Sequence, residues 1–389
     1  MDYSGALGEL RKFVAPEFVF GLGARKLAGR YAVNFGINKA LVVSDDGVAA
    51  AGWLDSVLDS LKEQGIQSEV FSQVHSNPRD FEVMEGAEQY RAKNCQAIIA
   101  VGGGSPMDCA KGIAIVSSNR GNILDFEGVD EVDKPGPPLI CIPTTAGSSA
   151  DVSQFAIIND IKRHVKIAII SKAVVPDAAL IDPETTLTMD PYLTACTGLD
   201  ALTHAIEAYV SNAQSPVTDL HALEAIRLVW NNLLDAIDKP DDLDTRCRMM
   251  LGSLEAGLAF SNASLGAVHA MAHALGGLLD LPHGECNALL LEHVVRFNFP
   301  STPHRYCAIG RAMGLPMDEQ NLPGSLMELV SGIHDYRIRA GIKRSLSDNG
   351  VEQDAIKELA EKAFQDPCLV TNPYPASRQD IERIYADAC

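Results

Sequence analysis

The sequence predicts the α/β fold class with two domains, a doubly wound parallel sheet at the amino-terminal end and an all-α domain after it. Two patterns in the 389 residues predict this. Short β-branched apolar runs alternate with helical stretches in the first half, and from Pro191 onward apolar residues recur at spacings of three and four. We place the boundary at 182–184, which gives domains of residues 1–184 and 185–389.

Each predicted strand of the first domain is a continuous apolar run, as a sheet covered on both faces requires. The predicted strands are 39–44, 68–71, 97–101, 139–142 and 166–171, with helices over 48–64 and 81–93. Strands separated by helices imply right-handed crossovers and parallel pairing in one sheet. In the second domain, helices are predicted over 194–210, 218–236, 244–261, 267–279, 285–297 and 327–340.

Charge and cysteine content exclude several classes of protein. There are 32 Lys and Arg against 51 Asp and Glu, so a net charge of −19 gives no long-range attraction to nucleic acid or to an anionic membrane. The nine cysteines are scattered without a CxxC spacing, which is typical of a reducing compartment. Because neither a secretory signal nor a long apolar run is evident, we expect a cytoplasmic protein.

A glycine turn, the segment 102–108 (GGGSPMD), follows the predicted strand 97–101. The glycines let the main chain approach a ligand closely. Ser105 is predicted to cap a helix that has Pro106 at its first position, with Asp108 answering the cap. The amides and dipole of such a helix suit a pyrophosphate. A tight turn without a ligand is the alternative.

Two further segments at strand ends favour a nucleotide site. Asp45 follows the strand 39–44, where its carboxylate can accept hydrogen bonds from ribose hydroxyls and repel a 2′-phosphate. Capping of the next helix is the alternative role for Asp45. The segment 143–149 (PTTAGSS) supplies hydroxyl groups and a glycine after another strand. The first domain is therefore interpreted as a dinucleotide-binding domain.

Acidic and imidazole side chains are concentrated on otherwise apolar helices of the second domain. Asp200 and His204 are four residues apart and share one helix face, as do His269 and His273. The turn-like sequence LPHGE around His283 can direct a further imidazole to the same point. Burying such groups is costly unless something satisfies them, and a divalent cation does. The second domain is therefore interpreted as a metal-binding domain.

The donor types leave the ion and one histidine undecided. One carboxylate and three imidazoles suit Fe(II), Zn(II), Co(II) or Ni(II), so one of the four histidines is expected beside the ion rather than on it. Cys286 is a rival soft ligand, although a small buried hydrophobe is the simpler interpretation. Glu207 and His221 are interpreted as structural polar residues outside the site.

A nucleotide in one domain and a metal in the other place the predicted reaction in the cleft between them. The cation would bind an alcohol oxygen and lower its pKa, and the nicotinamide would exchange a hydride with the carbinol carbon. His273 is the candidate for passing the alcohol proton to solvent. The predicted function is a metal-dependent, NAD(H)-linked alcohol dehydrogenase or aldehyde reductase acting on a small alcohol or diol.

At these residues the sequence resembles the iron-containing (group III) alcohol dehydrogenase family, which includes lactaldehyde reductase and butanol dehydrogenases. The motifs that carry the resemblance are GGGSPMDCAK, PTTAGSS, TGLDALTHAIEAY and HAMAHALGGLLDLPHGECNALLL. The resemblance implies a divalent metal, Fe(II) with Zn(II) as the alternative, bound by Asp200, His204, His269 and His283, with His273 beside the nicotinamide. It implies NAD contacts from Asp45, Asn77, Gly103, Gly104, Ser105, Asp108, Thr144, Thr145, Ser153 and Lys166.

The chain departs from the family pattern in two places. Where many members have TTAGTGSEVT, this chain has TTAGSSADVS, so that Asp151 and Ser153 replace a Glu and a Thr. After about residue 315 the match is loose.

Two other functions remain as alternatives. One is a lyase or synthase on the same scaffold, like dehydroquinate synthase, in which NAD is oxidised and reduced within one turnover. The other is a non-catalytic sensor of a nucleotide or a metal. The expected partners are a small alcohol or aldehyde and a second copy of the chain in a homodimer, with no nucleic acid and no membrane.

Overall fold

Strands and helices alternate over residues 14–189, and helices without strands follow over residues 190–389. The computed structural model describes residues 10–389 and divides them into two units, 14–189 and 190–389, with residues 10–13 joining the second. The predicted fold class is confirmed. Over residues 10–389, every helix is either too short or too polar to cross a bilayer.

The first unit is built on a six-stranded parallel sheet within the described residues. The strands of this unit are β1 Glu17–Phe20, β2 Lys39–Val43, β3 Gln67–Phe71, β4 Ala97–Gly102, β5 Gly128–Val129, β6 Leu139–Pro143, β7 Phe155–Asp160, β8 Val165–Ile170 and β9 Ala178–Ile181. The order in the large sheet is β1-β9-β6-β4-β2-β3, and all neighbours in it are parallel. Strand order reverses between β2 and β4, which is where open α/β sheets bind ligands.

Helices of the first unit cover both faces of this sheet. They are α1 Ala28–Asn34, α2 Asp46–Ala50, α3 Trp53–Glu63, α4 Asp80–Ala92 and α5 Gly104–Ser118. Successive residues of β4 point to opposite faces, so that Ile98 lies in one apolar cluster with Ile113 of α5 and Ile99 in another with Val57 of α3. Burial on both faces explains the continuous apolar runs of these strands.

Two details of the first unit correct the prediction. The predicted strand 166–171 was expected in the parallel sheet, but it is β8 of a separate sheet, β5-β8-β7, and pairs antiparallel with β7. The reason is that only residues 161–164 connect β7 to β8, and a connection this short joins antiparallel strands. The predicted helix 48–64 is two helices, α2 and α3, separated by a turn at residues 51–52.

The second unit is helical throughout residues 190–389. Its helices are α6 Pro191–Val210, α7 Pro216–Asp238, α8 Leu243–Ala263, α9 Ala267–Leu279, α10 His283–Asn298, α11 Pro303–Ala312, α12 Leu322–Arg339, α13 Ala355–Gln365 and α14 Arg378–Ala388. All six predicted helices are present among them. Asp190 and Ser215 accept hydrogen bonds at the amino-terminal ends of α6 and α7, and a proline follows each of them, which accounts for where these helices begin.

Candidate metal centre and cofactor site

Four of the predicted side chains converge inside the helical unit. Asp200 and His204 lie one turn apart on α6, His269 lies on α9, and His283 is the first residue of α10. Asp200 Oδ1 lies 3.9, 3.8 and 3.9 Å from Nε2 of His204, His269 and His283. Donor atoms that bind one ion at about 2.0–2.2 Å are separated by about 3–4 Å. The donor atoms of Asp200, His269 and His283 all lie within 4.8 Å of one another and fit a single divalent cation, and His204 Nε2 lies at a similar distance from the same carboxylate oxygen.

A glycine allows α10 to begin against α6. A Cβ atom on Gly284 would lie only 2.1 Å from the carbonyl oxygen of Cys196 and 3.2 Å from Asp200 Cβ. Any other residue would push the two helices apart. Gly284 therefore brings His283 next to Asp200, although sequence inspection had described this segment only as turn-like.

The cluster is electrostatically coupled. Burial alone would raise the pKa of Asp200, but the surrounding imidazoles outweigh it and hold that pKa well below its usual range. Burial alone would lower the pKa of His269, but the carboxylates of Glu207 and Asp200 outweigh it and raise that pKa to about 9. An imidazole must lose its second proton to bind a metal, so a cation would compete with a proton at His269.

Glu207, which the sequence analysis placed outside the site, contacts one of the proposed metal ligands. His269 Nδ1 lies 2.5 Å from Glu207 Oε2, and Glu207 Oε1 accepts a hydrogen bond from the backbone of Val268 at 2.7 Å. A carboxylate on Nδ1 leaves Nε2 directed at the cluster, an arrangement common around protein metal sites. The spacing 200, 204, 207 places all three side chains on one face of α6 and was the available clue.

His273 lies beside the four converging side chains and has a different carboxylate partner. Its ring stacks on that of His283 with 5.2 Å between the ring centroids. Its Nδ1 lies 2.8 Å from Asp366 Oδ2, while Asp366 Oδ1 accepts a hydrogen bond from the backbone of Cys368 at 2.8 Å. Burial alone would raise the pKa of Asp366, but His273 outweighs it and lowers that pKa. His273, Asp366 and Cys368 also form a second group of potential metal donors.

His221 and Cys286, the other two residues considered in the sequence analysis, lie outside the converging donor groups. His221 pairs with Glu255 at 2.5 Å, with a His–Glu contact like that of His269 but away from the converging donors. Cys286 is fully buried on α10.

Three adjacent strand ends form the candidate cofactor site of the first unit. Asp45 follows β2, the glycine turn follows β4, and Thr144 and Thr145 follow β6. Thr144 donates its backbone N–H to the Gly102 carbonyl at 2.9 Å. A Cβ atom on Gly103 would lie 3.1 Å from Thr145, and one on Gly104 would lie 3.0 Å from Ser148. The glycine turn and the segment 143–149 therefore pack closely against each other.

The helix after the glycine turn begins earlier than predicted. Gly103, not Ser105, is the residue before α5, and Gly104 rather than Pro106 is its first residue. Gly103 has no side chain to cap the helix, which leaves the first amides of α5 available to an anion. Ser105 Oγ instead accepts a hydrogen bond from the backbone of Asn77 at 3.2 Å.

Polar contacts link several of the other predicted cofactor residues. Lys166 Nζ donates to Asn77 Oδ1 at 2.7 Å, which connects Lys166 through Asn77 to Ser105. Burial raises the pKa of Asp108 to about 7, although Lys111 and Lys166 act in the opposite direction.

The two remaining predicted contacts also have protein partners. Asp45 Oδ1 caps α2 by accepting from the backbone of Val48 at 2.8 Å, as the alternative interpretation expected. The Ser153 hydroxyl and carbonyl oxygens accept from the buried Lys111 ammonium at 3.2 and 2.8 Å. Both of these Ser153 oxygens are therefore hydrogen-bonded to Lys111.

The glycine turn lies where the strand order of the parallel sheet reverses, and the helical unit holds a buried carboxylate–imidazole cluster. These are the two parts expected of a nucleotide-linked, metal-dependent oxidoreductase. Comparison with known proteins agrees with this class. The profile described as "Iron-containing alcohol dehydrogenase" matches residues 15–183, and that described as "Fe-containing alcohol dehydrogenase family, C-terminal" matches residues 194–389. The chain belongs to the iron-containing alcohol dehydrogenase family, whose members are oxidoreductases.

Named relatives span several small alcohols. The chain is 40% identical over 378 residues to alcohol dehydrogenase 4 of Schizosaccharomyces pombe, with 97% of this chain and 88% of the relative covered. It is 35% identical over 376 residues to the NAD-dependent methanol dehydrogenase of Bacillus methanolicus, covering 97% and 99% of the two chains. A crystal structure of 1,3-propanediol oxidoreductase superposes with a TM-score of 0.94 at 37% identity, covering 98% of this chain and 100% of the other.

Proposed function

We propose that the protein oxidises small primary alcohols or diols, or reduces the corresponding aldehydes, with NAD(H) and a divalent metal held by Asp200, His204, His269 and His283. The observation that carries the metal assignment is the convergence of these buried donor groups from three helices. Fe(II) is the proposed ion because of the family, and Zn(II) is the alternative. When bound, the cation supplies a Lewis acid that lowers the pKa of an alcohol hydroxyl.

The residues around the donor atoms have separable roles in this proposal. Glu207 holds His269 through Nδ1, so that Nε2 is directed at the cation. Asp366 holds His273 in the same way, which leaves His273 Nε2 as a proton acceptor. Asp366 also stabilises the imidazolium that forms when His273 takes the alcohol proton, as a buried carboxylate does for a catalytic histidine.

The α/β unit is proposed to hold NAD at the end of the sheet where the strand order reverses, between β2 and β4. The uncapped amides of α5 suit the pyrophosphate, and the close packing of Gly103 against Thr145 leaves no room for side chains on the turn. Asp45 suits the ribose hydroxyls and disfavours a 2′-phosphate. Asn77, Ser105, Asp108, Thr144 and Lys166 are proposed to complete this site. Ser153 is proposed to support it through Lys111.

Metal removal and reloading test the proposal. Protein treated with a chelator under anaerobic conditions should lose alcohol-dependent NADH formation and regain it with Fe(II) or Zn(II). The variants His269→Ala and His283→Ala should lose both metal and activity, while His304→Ala, at an exposed histidine, should keep both. Retention of metal and activity by either of the first two variants would refute the assignment. Turnover without net NADH formation would indicate a lyase or synthase instead.

Substrate size, assembly and location are the finer parts of the proposal. The relatives named for methanol and for 1,3-propanediol suggest a small alcohol or diol as substrate. All nine cysteines are free thiols, which supports a reducing cytoplasm. A homodimer is proposed, and sedimentation equilibrium at micromolar concentration tests it directly.

A further inference from the structure

Asn287 lies among the converging side chains of the candidate metal centre. It stands four residues after His283 on the same face of α10 and is fully buried. Its amide nitrogen Nδ2 lies 2.7 Å from Asp200 Oδ1, 3.1 Å from His269 Nε2 and 3.3 Å from His283 Nε2. The nitrogen is thus within hydrogen-bond distance of donor atoms from three of the four proposed metal ligands.

The two ends of this amide have unequal surroundings. Nδ2 donates to the Asp200 carboxylate and so brings partial positive charge to the place of a cation. Oδ1 is buried and, among the described residues, has no hydrogen-bond partner. A buried carbonyl oxygen without a partner is uncommon in folded proteins and calls for a functional explanation.

A cation at the candidate centre would change which end of the Asn287 amide is favoured to face it. The N–H hydrogens would be repelled by the positive charge, whereas the carbonyl oxygen would be attracted to it. Rotation about the terminal side-chain bond exchanges the two ends, and that torsion is broad and roughly two-fold in asparagine. One side chain can therefore serve the centre both without and with the ion.

We propose that Asn287 is a fifth metal-site residue: Nδ2 holds Asp200 in place in the metal-free protein, and Oδ1 turns to the cation as an additional ligand. The inference rests on the metal site of the proposed function. An oxygen donor beyond the four predicted ligands favours ions that take five or six ligands over Zn(II), for which four usually suffice. Asn287 thereby raises the preference of the centre for Fe(II) relative to Zn(II).

Cobalt titration of the metal-free protein tests the role of Asn287, because Co(II) absorbs visible light more strongly with four ligands than with five or six. Asn287→Leu should bind Co(II) roughly 10–100-fold more weakly, with stronger visible bands and a lower Fe(II)-to-Zn(II) affinity ratio. Asn287→Asp keeps an oxygen donor and should keep the weak visible bands of a five- or six-ligand Co(II) site. Asn298→Ala removes another buried asparagine of α10, bonded to Asn372, and should leave the spectrum and the ratio unchanged.

The results that overturn the inference are distinct from those that overturn the proposed function. A wild-type spectrum and a wild-type affinity ratio in Asn287→Leu would show that Oδ1 is not a ligand. If Asn287→Leu does not fold, Asn287→Asp decides, since the strong visible bands of a four-ligand Co(II) site there would refute the role. If His269→Ala binds Co(II) as wild type does, the metal centre itself is wrong and the proposed function fails with it.

Discussion

The two candidate sites differ in how their polar and charged groups are paired. In the α/β unit, polar groups already satisfy one another: Lys166 bonds Asn77, and Lys111 bonds Ser153. In the helical unit, a carboxylate and three imidazoles point their donor atoms at one another. The first site is a scaffold of strand ends and backbone amides, whose side chains are mostly paired and whose first α5 amides remain available to an anion. The second is a buried cluster in which the Asp200 carboxylate and the protonated His269 imidazole stabilise each other, so a cation would have to displace a proton from it.

The difference predicts where a ligand stabilises the chain. A metal should strengthen the helices that carry its donors, whereas NAD should act mainly on backbone turns. Substitutions should likewise be costlier in the helical site, where each donor group compensates the others. Four predictions test this contrast, beginning with the largest expected effect.

The largest effect should be local stabilisation by metal. At a free-metal concentration about 1,000 times Kd, binding adds about 4 kcal/mol to the stability of the structure that holds the ion. Amides of α6, α9 and α10 should therefore exchange hydrogen up to about 1,000-fold more slowly. Hydrogen exchange resolved by mass spectrometry measures this. With NAD alone, slowing should instead centre on residues 102–106 and 144–149. Metal-induced slowing confined to residues 14–189 would contradict the contrast.

The second prediction concerns the carboxylate behind His269. Glu207→Gln should weaken metal binding roughly 10–100-fold, because the amide no longer fixes His269 with Nε2 toward the ion. Competition with a chromophoric chelator gives the affinity. Glu255→Gln at His221 removes a contact of the same kind and length and is the matched control. Equal metal affinity in the two variants would show that Glu207 does not support metal binding through His269.

The third prediction concerns pH and a carboxyl of the α/β unit. Burial raises the pKa of Asp151 to about 6, with its own backbone N–H and Lys111 acting in the opposite direction. A carboxyl with a raised native pKa binds its proton more tightly when folded, so the free energy of unfolding falls as pH rises from about 4 to 7. Asp151→Asn should remove this fall and be more stable by roughly 2–3 kcal/mol at pH 7.5, with little difference near pH 4.

Urea unfolding across this pH range gives the required measurement. Asp59→Asn, at an exposed position of α3, is the control and should follow the wild-type pH dependence. A pH-independent difference between Asp151→Asn and wild type would mean that the carboxyl of Asp151 does not titrate as described.

The smallest effect concerns cofactor choice. Asp45→Ser keeps an oxygen that can cap α2 but removes the charge proposed to repel a 2′-phosphate, so kcat/KM for NADP relative to NAD should rise roughly tenfold. Steady-state kinetics with both cofactors measures the ratio. Equal use of both cofactors by the wild-type protein would already remove Asp45 as the determinant.

Local patterns made part of this architecture predictable. The apolar runs of β2, β4 and β6 predicted a parallel sheet because both faces are covered, and the spacing of four residues on α6 and α9 predicted shared helix faces. The structure brings Asp200, His204 and His269 together and leaves His273 beside them with Asp366. The start of α5 was mispredicted because Ser-Pro satisfies the usual rules for a helix start, while the flexible glycine before them let the helix begin earlier.

Contacts between distant segments could not be predicted in the same way. Asp366 meets His273 across 93 residues, and Asn287 meets Asp200 across 87. Neither pair has a local spacing that marks it, and Asp366 lies where the family resemblance was loose. The sheet to which β8 belongs depended likewise on β7, a strand that was not predicted.

Asp200, His204, His269 and His283 are proposed to bind one divalent cation. Crystals of the protein purified without chelator, measured above and below the absorption edge of the bound metal, test it most directly. We expect one anomalous peak about 2.0–2.3 Å from a donor atom of each of the four residues. A map without a peak there, or with its peak at His273, Asp366 and Cys368 instead, would contradict it.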